Sequence, residues 1–340
     1  MKKHKVAING FGRIGRAFFK LAITKPELEI VAMNDLGNLE NLAYLLKYDS
    51  TYGRFDKSVE VRDGKLVVDG VSYAFLQEKE PTKLPWKDMG IDIVVESSGV
   101  FESFEKASVH KIAGAKRIVL TAPAKDEDSD DAKTVLMGIN GDDLKTCTLS
   151  SNGSCTTNSA SPVVQILEEK LGIKKAFLNT VHAYTATQSL IDSPTKGNDY
   201  RRGRSAAVNI SPSTTGAATA VTRAVHDLLG KFDGVAFRVP VVTGSISAIV
   251  FLANRQTSVE EINSILESAA KEDRWKGVFS ATRDQLVSTD IMGNSHAAIA
   301  DLSLTHVTDG DLCAVYSWYD NEFGYTNSLV DHVLKVASFL

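Results

Sequence analysis

One cysteine of this chain stands in surroundings suited to chemistry. Cys155 lies in the run Ser151-Asn152-Gly153-Ser154-Cys155-Thr156-Thr157-Asn158-Ser159-Ala160-Ser161-Pro162. Behind it, Val163, Val164, Ile166, Leu167 and Leu171 recur at helical spacing up to a stop at Gly172. A helix therefore starts between Cys155 and Ser161. Capping rules favour Ser161 as N-cap with Pro162 at the first helical position. A start at Cys155, with Pro162 inside, puts the thiol at the positive end of the helix dipole, where a thiolate is favoured; the reactive reading prefers that start. The plain alternative is a half-buried structural cysteine. His182 follows 27 residues later, at the end of the apolar strand pattern Ala176–Val181. A helix and a return strand can bring the two to one sheet edge, where the imidazole would activate the thiol and serve as general acid–base. Activation matters, because a thiol of ordinary pKa near ~8.5 is only slightly ionised at neutral pH. Spacing alone leaves His182 as readily a satisfied core histidine.

A second constellation opens the chain. The strand pattern Lys5–Asn9 runs into Gly10-Phe11-Gly12-Arg13-Ile14-Gly15, and helical spacing of Ile14, Ala17, Phe18 and Leu21 follows. A second strand, Glu29–Met33, ends at Asp35, 20 residues after Gly15. That context makes the glycine pattern a dinucleotide fingerprint: glycines admit a pyrophosphate to a helix N-terminus, and the acidic residue accepts from ribose hydroxyls. Two further strands, Ile91–Glu96 and Arg117–Thr121, place Ser98, Gly99 and Thr121 beyond C-terminal strand ends, where ligands of open α/β sheets sit. Anion sites are suggested again by Asp199-Tyr200-Arg201-Arg202-Gly203-Arg204, inside the long unpatterned segment Ser189–Ser213, and by Ser213-Thr214-Thr215-Gly216 opening a helix through Val225.

The elements between these motifs alternate. Asn38–Tyr48 and Phe104–Ala113 read as helices, Val59–Phe75 as antiparallel strands turning at Asp63-Gly64 and Asp69-Gly70, and Val135–Gly138 and Thr146–Leu149 as the last strands of a first sheet. Phe237–Pro240, Ala248–Leu252, Leu302–Val307 and Cys313–Trp318 read as a second sheet, with helices at Val259–Lys271 and Thr326–Phe339. At 340 residues two domains are expected. A net charge of −4 gives no footprint for nucleic acid or a membrane surface. The basic start Met1–Lys5 precedes too short an apolar run for a signal peptide, and no run reaches membrane-spanning length. Cys147, Cys155 and Cys313 have neither metal-ligand nor disulfide spacing, and the acidic run Lys125–Lys133 reads as a solvated face, so no metal and a cytoplasmic setting are expected.

From Val6 onward the chain resembles the phosphorylating glyceraldehyde-3-phosphate dehydrogenases. The resemblance rests on Asn9–Arg16, Leu46-Lys47-Tyr48-Asp49-Ser50, Ser154–Asn158, His182-Ala183-Tyr184-Thr185, Thr215–Ala218, Phe237-Arg238-Val239-Pro240 and Trp318–Glu322. It implies an α/β N-terminal Rossmann dinucleotide-binding domain (1–153 and 326–340) plus an α+β catalytic domain with a mainly antiparallel sheet (154–325). It implies Cys155 as nucleophile and His182 as acid–base, forming a thiohemiacetal and then a thioester that inorganic phosphate cleaves. Gly10, Phe11, Gly12, Arg13, Ile14, Asp35, Lys79, Ser98, Gly99, Thr121 and Asn321 would bind the cofactor. That cofactor would be NAD, with NADP use possible: Asp35 repels a 2′-phosphate, whereas Ser193 is small where many NAD-using relatives carry leucine. Thr185, Arg238 and an arginine of the Arg201–Arg204 cluster, taken as Arg204, would hold the substrate phosphate. Ser154, Thr156, Thr215 and Gly216 would receive the attacking one. A homotetramer is implied, the Ser189–Ser213 loop reaching a neighbour. Departures fall at Ser159, a cysteine in many relatives, and at Phe323, usually tryptophan. The alternatives are an erythrose-4-phosphate dehydrogenase, which would not need Thr215 and Gly216 for phosphate, and a non-catalytic nucleotide-binding protein on the same fold.

Overall fold

Short apolar runs separated by glycine turns and amphipathic helices build the first sheet. In the computed structural model, which describes residues 3–195 and 198–340, it has nine strands. Their spatial order is Ala132–Thr134, Leu149–Ser151, Arg117–Leu120, Ile93–Glu96, His4–Asn9, Leu28–Asn34, Val71–Leu76, Lys65–Val68 and Val59–Arg62. The first seven run parallel and the last two close the edge as antiparallel hairpins. Asp63-Gly64 and Asp69-Gly70 turn those hairpins with positive φ at both residues of each pair, the geometry that matches strand twist. The helix Arg13–Ala22 follows the glycine turn and buries Gly15, Arg16, Phe18, Phe19 and Ala22; of the expected stripe Phe18 is buried, and Ile14, Ala17 and Leu21 are half-buried. Met1 and Lys2 of the basic start, and Lys196-Gly197 of the long loop, lie outside the described residues.

The second sheet has the order Ser211–Thr214, Phe232–Val239, Ile173–Ala183, Ser245–Ala253, Leu312–Tyr319, Ala298–Asp301 and Phe279–Thr282, with His306–Thr308 added alongside Leu312–Tyr319. Its pairings are antiparallel except for Ile173–Ala183 with Phe232–Val239 and Phe279–Thr282 with Ala298–Asp301. The burial of Ser245–Ala253 alternates strictly, as a strand with one face on a core must. The helix Cys155–Leu171 supplies that core with Val163, Val164, Ile166 and Leu167, all buried. The chain divides into two compact units, Met1–Val135 with Asn140–Gly153 and Leu329–Leu340, and Leu136–Ile139 with Ser154–Ser328. No helix among the described residues is long and apolar enough to cross a membrane.

Several expected elements are corrected. Val135–Gly138 is not a strand: Leu136–Ile139 belongs to the second unit, and Gly138, at φ 81°, lies against the Trp275 ring. The sheet instead uses Ala132–Thr134 and, after a 3₁₀ turn at Gly141–Lys145 that draws in Cys147, Leu149–Ser151. Phe104–Ala113 breaks into two single turns at Ser108, whose hydroxyl donates to the Glu105 carbonyl at 2.6 Å. Leu302–Val307 is interrupted because the Asp301 carboxylate accepts from Ser303 N and Oγ and turns the chain. Ser213 and Thr214 end a strand, so the following helix is Ala217–Ala224. The acidic run contributes structure rather than a bare solvated face: Asp126 accepts from Phe104 N and Glu105 N, and Asp128 from Thr134.

The last helix, Phe323–Ala337, buries His332 against the end of the Leu149–Ser151 strand. Its Nδ1–H is donated to Asn152 Oδ1 at 3.1 Å, and Nε2 lies 2.8 Å from Ser150 Oγ. Burial lowers this imidazole to about 3 from an ordinary 6.5. Between those values the unfolded chain takes up a proton that the folded chain refuses, so folding weakens as pH falls through this window. His332→Gln can keep both hydrogen bonds but cannot titrate. Urea midpoints measured between pH 6.5 and 4 should fall less steeply in the variant, by up to ~1.4 kcal/mol per pH unit; identical slopes would remove His332 as a contributor.

Candidate active site

The helix that carries Cys155 starts at Cys155 itself. Ser154 Oγ accepts from Thr157 N at 3.0 Å, and Thr157 Oγ1 accepts from Ser154 N at 3.1 Å, a reciprocal capping box that satisfies donors at the helix start. Pro162 is inside the helix and deprives the Asn158 carbonyl of its helical donor. Tertiary contacts outweigh that cost. Thr156 Oγ1 meets Tyr319 OH at 2.9 Å, Ser159 Oγ meets Ser317 Oγ at 3.2 Å, and Asn158 Oδ1 accepts from Ser328 Oγ at 2.7 Å.

Tyr319 OH also meets Thr180 Oγ1 at 2.8 Å, two residues before His182 on the strand Ile173–Ala183. The same phenol thus holds the first turn of the helix and the strand that presents the imidazole. As a result Cys155 Sγ lies 3.3 Å from His182 Nε2. Parallel register sets Arg238 beside His182, with Arg238 Nη1 2.7 Å from His182 Nδ1. His182 Nδ1 also meets the Ala183 carbonyl oxygen at 2.7 Å. Nδ1 cannot both donate to Ala183 and accept from the Arg238 guanidinium; with its proton on the Ala183 carbonyl, which also accepts from Arg238 Nη1 at 3.2 Å, Nε2 keeps a lone pair toward the thiol, the tautomer a general base requires.

Burial, reinforced by the Arg238 charge, lowers His182 to about 3, and burial pushes the Cys155 thiol up against the opposing pull of Arg238. Both shifts favour the uncharged thiol and imidazole over an ion pair. The dipole argument for a standing thiolate is outweighed by desolvation. Cys147 and Cys313 are buried, each pushed up to about 11 by burial.

The residues expected around phosphate divide. Thr187, Gln188, Arg201, Arg202, Ser213 and Arg238 line one small cavity. Arg202 reaches Ser213 Oγ at 3.2 Å and Thr187 Oγ1 at 3.4 Å, and Thr185 Oγ1 joins Thr187 Oγ1 at 3.0 Å. Arg204 points elsewhere, to Asp192 Oδ2 at 2.9 Å on the exposed loop. Arg201 and Arg202 thus stand with Arg238 and Arg204 does not; Arg201 pairs with Asp199 while Arg202 reaches the hydroxyls, so Arg202 replaces Arg204 as the candidate, and spacing within Arg201–Arg204 carries no signal that separates them. Ser154 and Thr156 have hydroxyls already engaged in the capping box and with Tyr319. Thr215 and Gly216 stand at the N-terminus of Ala217–Ala224, where Thr215 Oγ1 accepts from Ala217 N at 3.2 Å.

The dinucleotide candidates fall in the first unit, except Asn321. Gly10 has φ 95°, and a Cβ there would collide with the Ser98 backbone, as one at Gly15 would with the Gly10 carbonyl. At Gly12, the N-cap of Arg13–Ala22, a Cβ would meet nothing within 4 Å. These are the turn, the helix contact and the open approach that a pyrophosphate requires. Asp35 Oδ2 accepts from Phe11 N at 2.6 Å and Oδ1 from Gly37 N at 2.8 Å, so its carboxylate is fixed beside the turn. Arg13 turns its guanidinium to Asp49, leaving the turn itself to backbone groups of Arg13 and Ile14. Ser98 and Gly99 follow the Ile93–Glu96 strand, Thr121 donates from N and Oγ1 to the Glu96 carbonyl, and Lys79 is exposed. Asn321 is buried, with Oδ1 accepting from Thr243 and Ser245 and its amide nitrogen as remaining donor. Among the described residues no group of three or more His, Cys, Asp and Glu is placed to hold a metal ion.

Comparison with known proteins agrees with this geometry. A family model described as glyceraldehyde 3-phosphate dehydrogenase, NAD binding domain, matches residues 4–104, and one described as glyceraldehyde 3-phosphate dehydrogenase, C-terminal domain, matches residues 154–321. The chain is 45% identical to the glyceraldehyde-3-phosphate dehydrogenase of Clostridium pasteurianum over 98% of its length and 99% of the relative's. For that of Thermotoga maritima the identity is 48%, over 96% of this chain and 97% of the relative. For that of Geobacillus stearothermophilus it is 44%, over 98% of each. With a glycine turn fitted to NAD, a thiol–imidazole pair and both halves of the family matched, the chain belongs to the glyceraldehyde 3-phosphate dehydrogenase family.

Proposed function

We propose that this chain oxidises D-glyceraldehyde 3-phosphate to 1,3-bisphosphoglycerate with inorganic phosphate and NAD, with Cys155 as nucleophile and His182 as acid–base. The observation that carries the reading is the 3.3 Å separation of Cys155 Sγ and His182 Nε2 beside Arg238. As sulfur bonds to the aldehyde carbon, the thiol proton passes to His182 Nε2, which returns it to the carbonyl oxygen to give a thiohemiacetal. His182 then removes that hydroxyl proton as the carbon gives up its hydride, leaving a thioester. Bound NAD supplies the hydride acceptor. A phosphate oxygen attacks the thioester carbon, the C–S bond breaks, and the acyl phosphate departs from the Cys155 sulfur. The aldehyde's own phosphate belongs with Thr185, Arg202 and Arg238; once it neutralises Arg238, the imidazolium beside it costs less. The attacking phosphate belongs at the Thr215-Gly216 helix start, with backbone at Ser154 and Thr156. Asp35 favours NAD over NADP.

A cytoplasmic homotetramer is part of this reading. Its support is exposed apolar surface: Leu190, Ile191, Tyr200, Val208 and Ile210 on the long loop, and Phe177, Val181 and Leu312 on the outer face of the second sheet.

NADH formation from glyceraldehyde 3-phosphate should require inorganic phosphate or arsenate. Turnover without either would point to the erythrose-4-phosphate type of reaction, and no turnover with any aldehyde phosphate to a binding protein. His182→Asn should lower kcat by about 10²–10⁴-fold with NAD binding intact; near-native kcat would dismiss it as the base. Arg202→Ala should raise the KM for the aldehyde phosphate by about tenfold or more, the worth of a charge-assisted hydrogen bond, and Arg204→Ala should barely change it. The reverse order in steady-state assays would restore Arg204.

A further inference from the structure

Beneath the dinucleotide turn lies a buried polar chain that the chemistry above does not use. Glu96, the last residue of its strand, is 3% exposed. Its Oε2 accepts from Asn9 Nδ2 at 2.6 Å and lies 2.9 Å from His110 Nε2. Its Oε1 accepts from Ser98 N at 2.8 Å and Ser98 Oγ at 2.5 Å. His110, wholly buried, has Trp86 Nε1 at 3.1 Å from Nδ1. An indole nitrogen can only donate, so Nδ1 carries the lone pair and the imidazole's single proton sits on Nε2, facing Glu96. Ser98 Oγ already accepts from Val100 N, which leaves its own proton for Glu96. Four donors thus converge on one carboxyl, and none of them carries a charge.

We propose that Glu96, as a carboxylate clamped by these four neutral donors, is a positioning residue for the NAD-binding turn. Asn9 and Ser98 are the residues it grips, and they flank Gly10 on either side. Asn9 Oδ1 accepts in turn from Asn34 Nδ2 at 2.8 Å, and the Asn34 amide brackets the Glu78 backbone at 2.9 and 3.0 Å. Ser97 closes the remaining gap, donating from N to the Asn9 carbonyl at 2.7 Å and from Oγ to the Gly10 carbonyl at 2.7 Å. The chain Trp86–His110–Glu96–Asn9–Asn34–Glu78 therefore crosses the C-terminal ends of three adjacent strands. It ties together the segments that carry Gly10–Ile14, Asp35, Lys79 and Ser98. Apolar packing could supply equal stability at such a site, whereas directional bonds to a charged acceptor specify geometry. Gly10 has no side chain to anchor it, so its place is set by its backbone bonds to Asn34 and Ser97 and by the close-packed Ser98 that Glu96 grips.

This rests on the assignment of the Gly10–Gly15 turn to NAD, and the experiment separates the two. Glu96→Gln keeps size but turns an amide N–H₂ toward a group that is itself a donor. By calorimetry its NAD dissociation constant should rise about tenfold or more. The KM for NAD should rise with it while kcat, the KM for the aldehyde phosphate and the cofactor-free rate of Cys155 alkylation by iodoacetamide stay native. His110→Gln, which still offers Glu96 a donor, should retain NAD binding, and His110→Leu should lose it; this pair keeps the test open if Glu96→Gln does not fold. Native NAD affinity in Glu96→Gln and His110→Leu would overturn the positioning role. So would parallel losses in NAD binding and Cys155 alkylation, the mark of a merely structural residue. Failure of the unaltered chain to bind NAD would overturn the cofactor assignment and the positioning role together.

Discussion

The phenol of Tyr319 is the constraint on which the catalytic geometry depends. It is buried among three elements, and its hydroxyl reaches Thr156 on the helix and Thr180 on the strand. Its ring meets His182 edge-on, with centroids 5.8 Å apart and planes at 77°. Burial pushes its ionisation far above the ordinary tyrosine range, so it stays a hydroxyl that both donates and accepts. One side chain therefore sets the height of the helix start against the strand, and with it the Cys155–His182 distance. Strand register does the rest: once Ile173–Ala183 and Phe232–Val239 align in parallel, Arg238 has no place but beside His182.

Much of this was legible in the residues, for reasons that can be named. Gly10, Gly12, Gly15 and Asp35 announce their site because a tight turn, a backbone approach and a ribose acceptor each demand a residue type at a fixed spacing. The unbroken apolar run Ala248–Leu252 announced a strand, although the register extends it from Ser245 to Ala253. Where local rules erred, a tertiary contact had overruled them. Pro162 advertises a helix start with Ser161 as N-cap, and the capping box at Ser154 with Thr156 bound to Tyr319 moves it seven residues earlier. Leu136 and Met137 look like one more strand of the first sheet, and the second unit's core takes them instead. Tyr319 stood within a recognised motif without a role, since a hydroxyl's partners 139 and 163 residues away leave no local trace. Arg202 and Arg204 are chemically identical in sequence, and only the fold of the loop, pinned by Ser189 N to the Arg202 carbonyl and by Arg204 to Asp192, tells them apart.

The two units manage buried polarity in opposite ways. At Glu96 a charge is kept and surrounded by neutral donors, which suits a group whose task is to stay still. At Cys155 and His182 burial disfavours charge on both partners, and the charge nearby belongs to Arg238. Arg238 acts on the pair with both signs. It pulls the thiol toward thiolate and pushes the imidazole away from imidazolium, so it cannot by itself produce the ion pair. In the proposed reaction a dianionic phosphate held by Arg202 and Arg238 would remove the second effect at the moment the aldehyde carbon is delivered to the sulfur. The nucleophile is then made where and when its electrophile is present, and a standing thiolate, open to alkylation and oxidation, is avoided. Desolvation, which by the usual reckoning weakens a catalytic cysteine, becomes the means of reserving its reactivity for a substrate that carries its own negative charge.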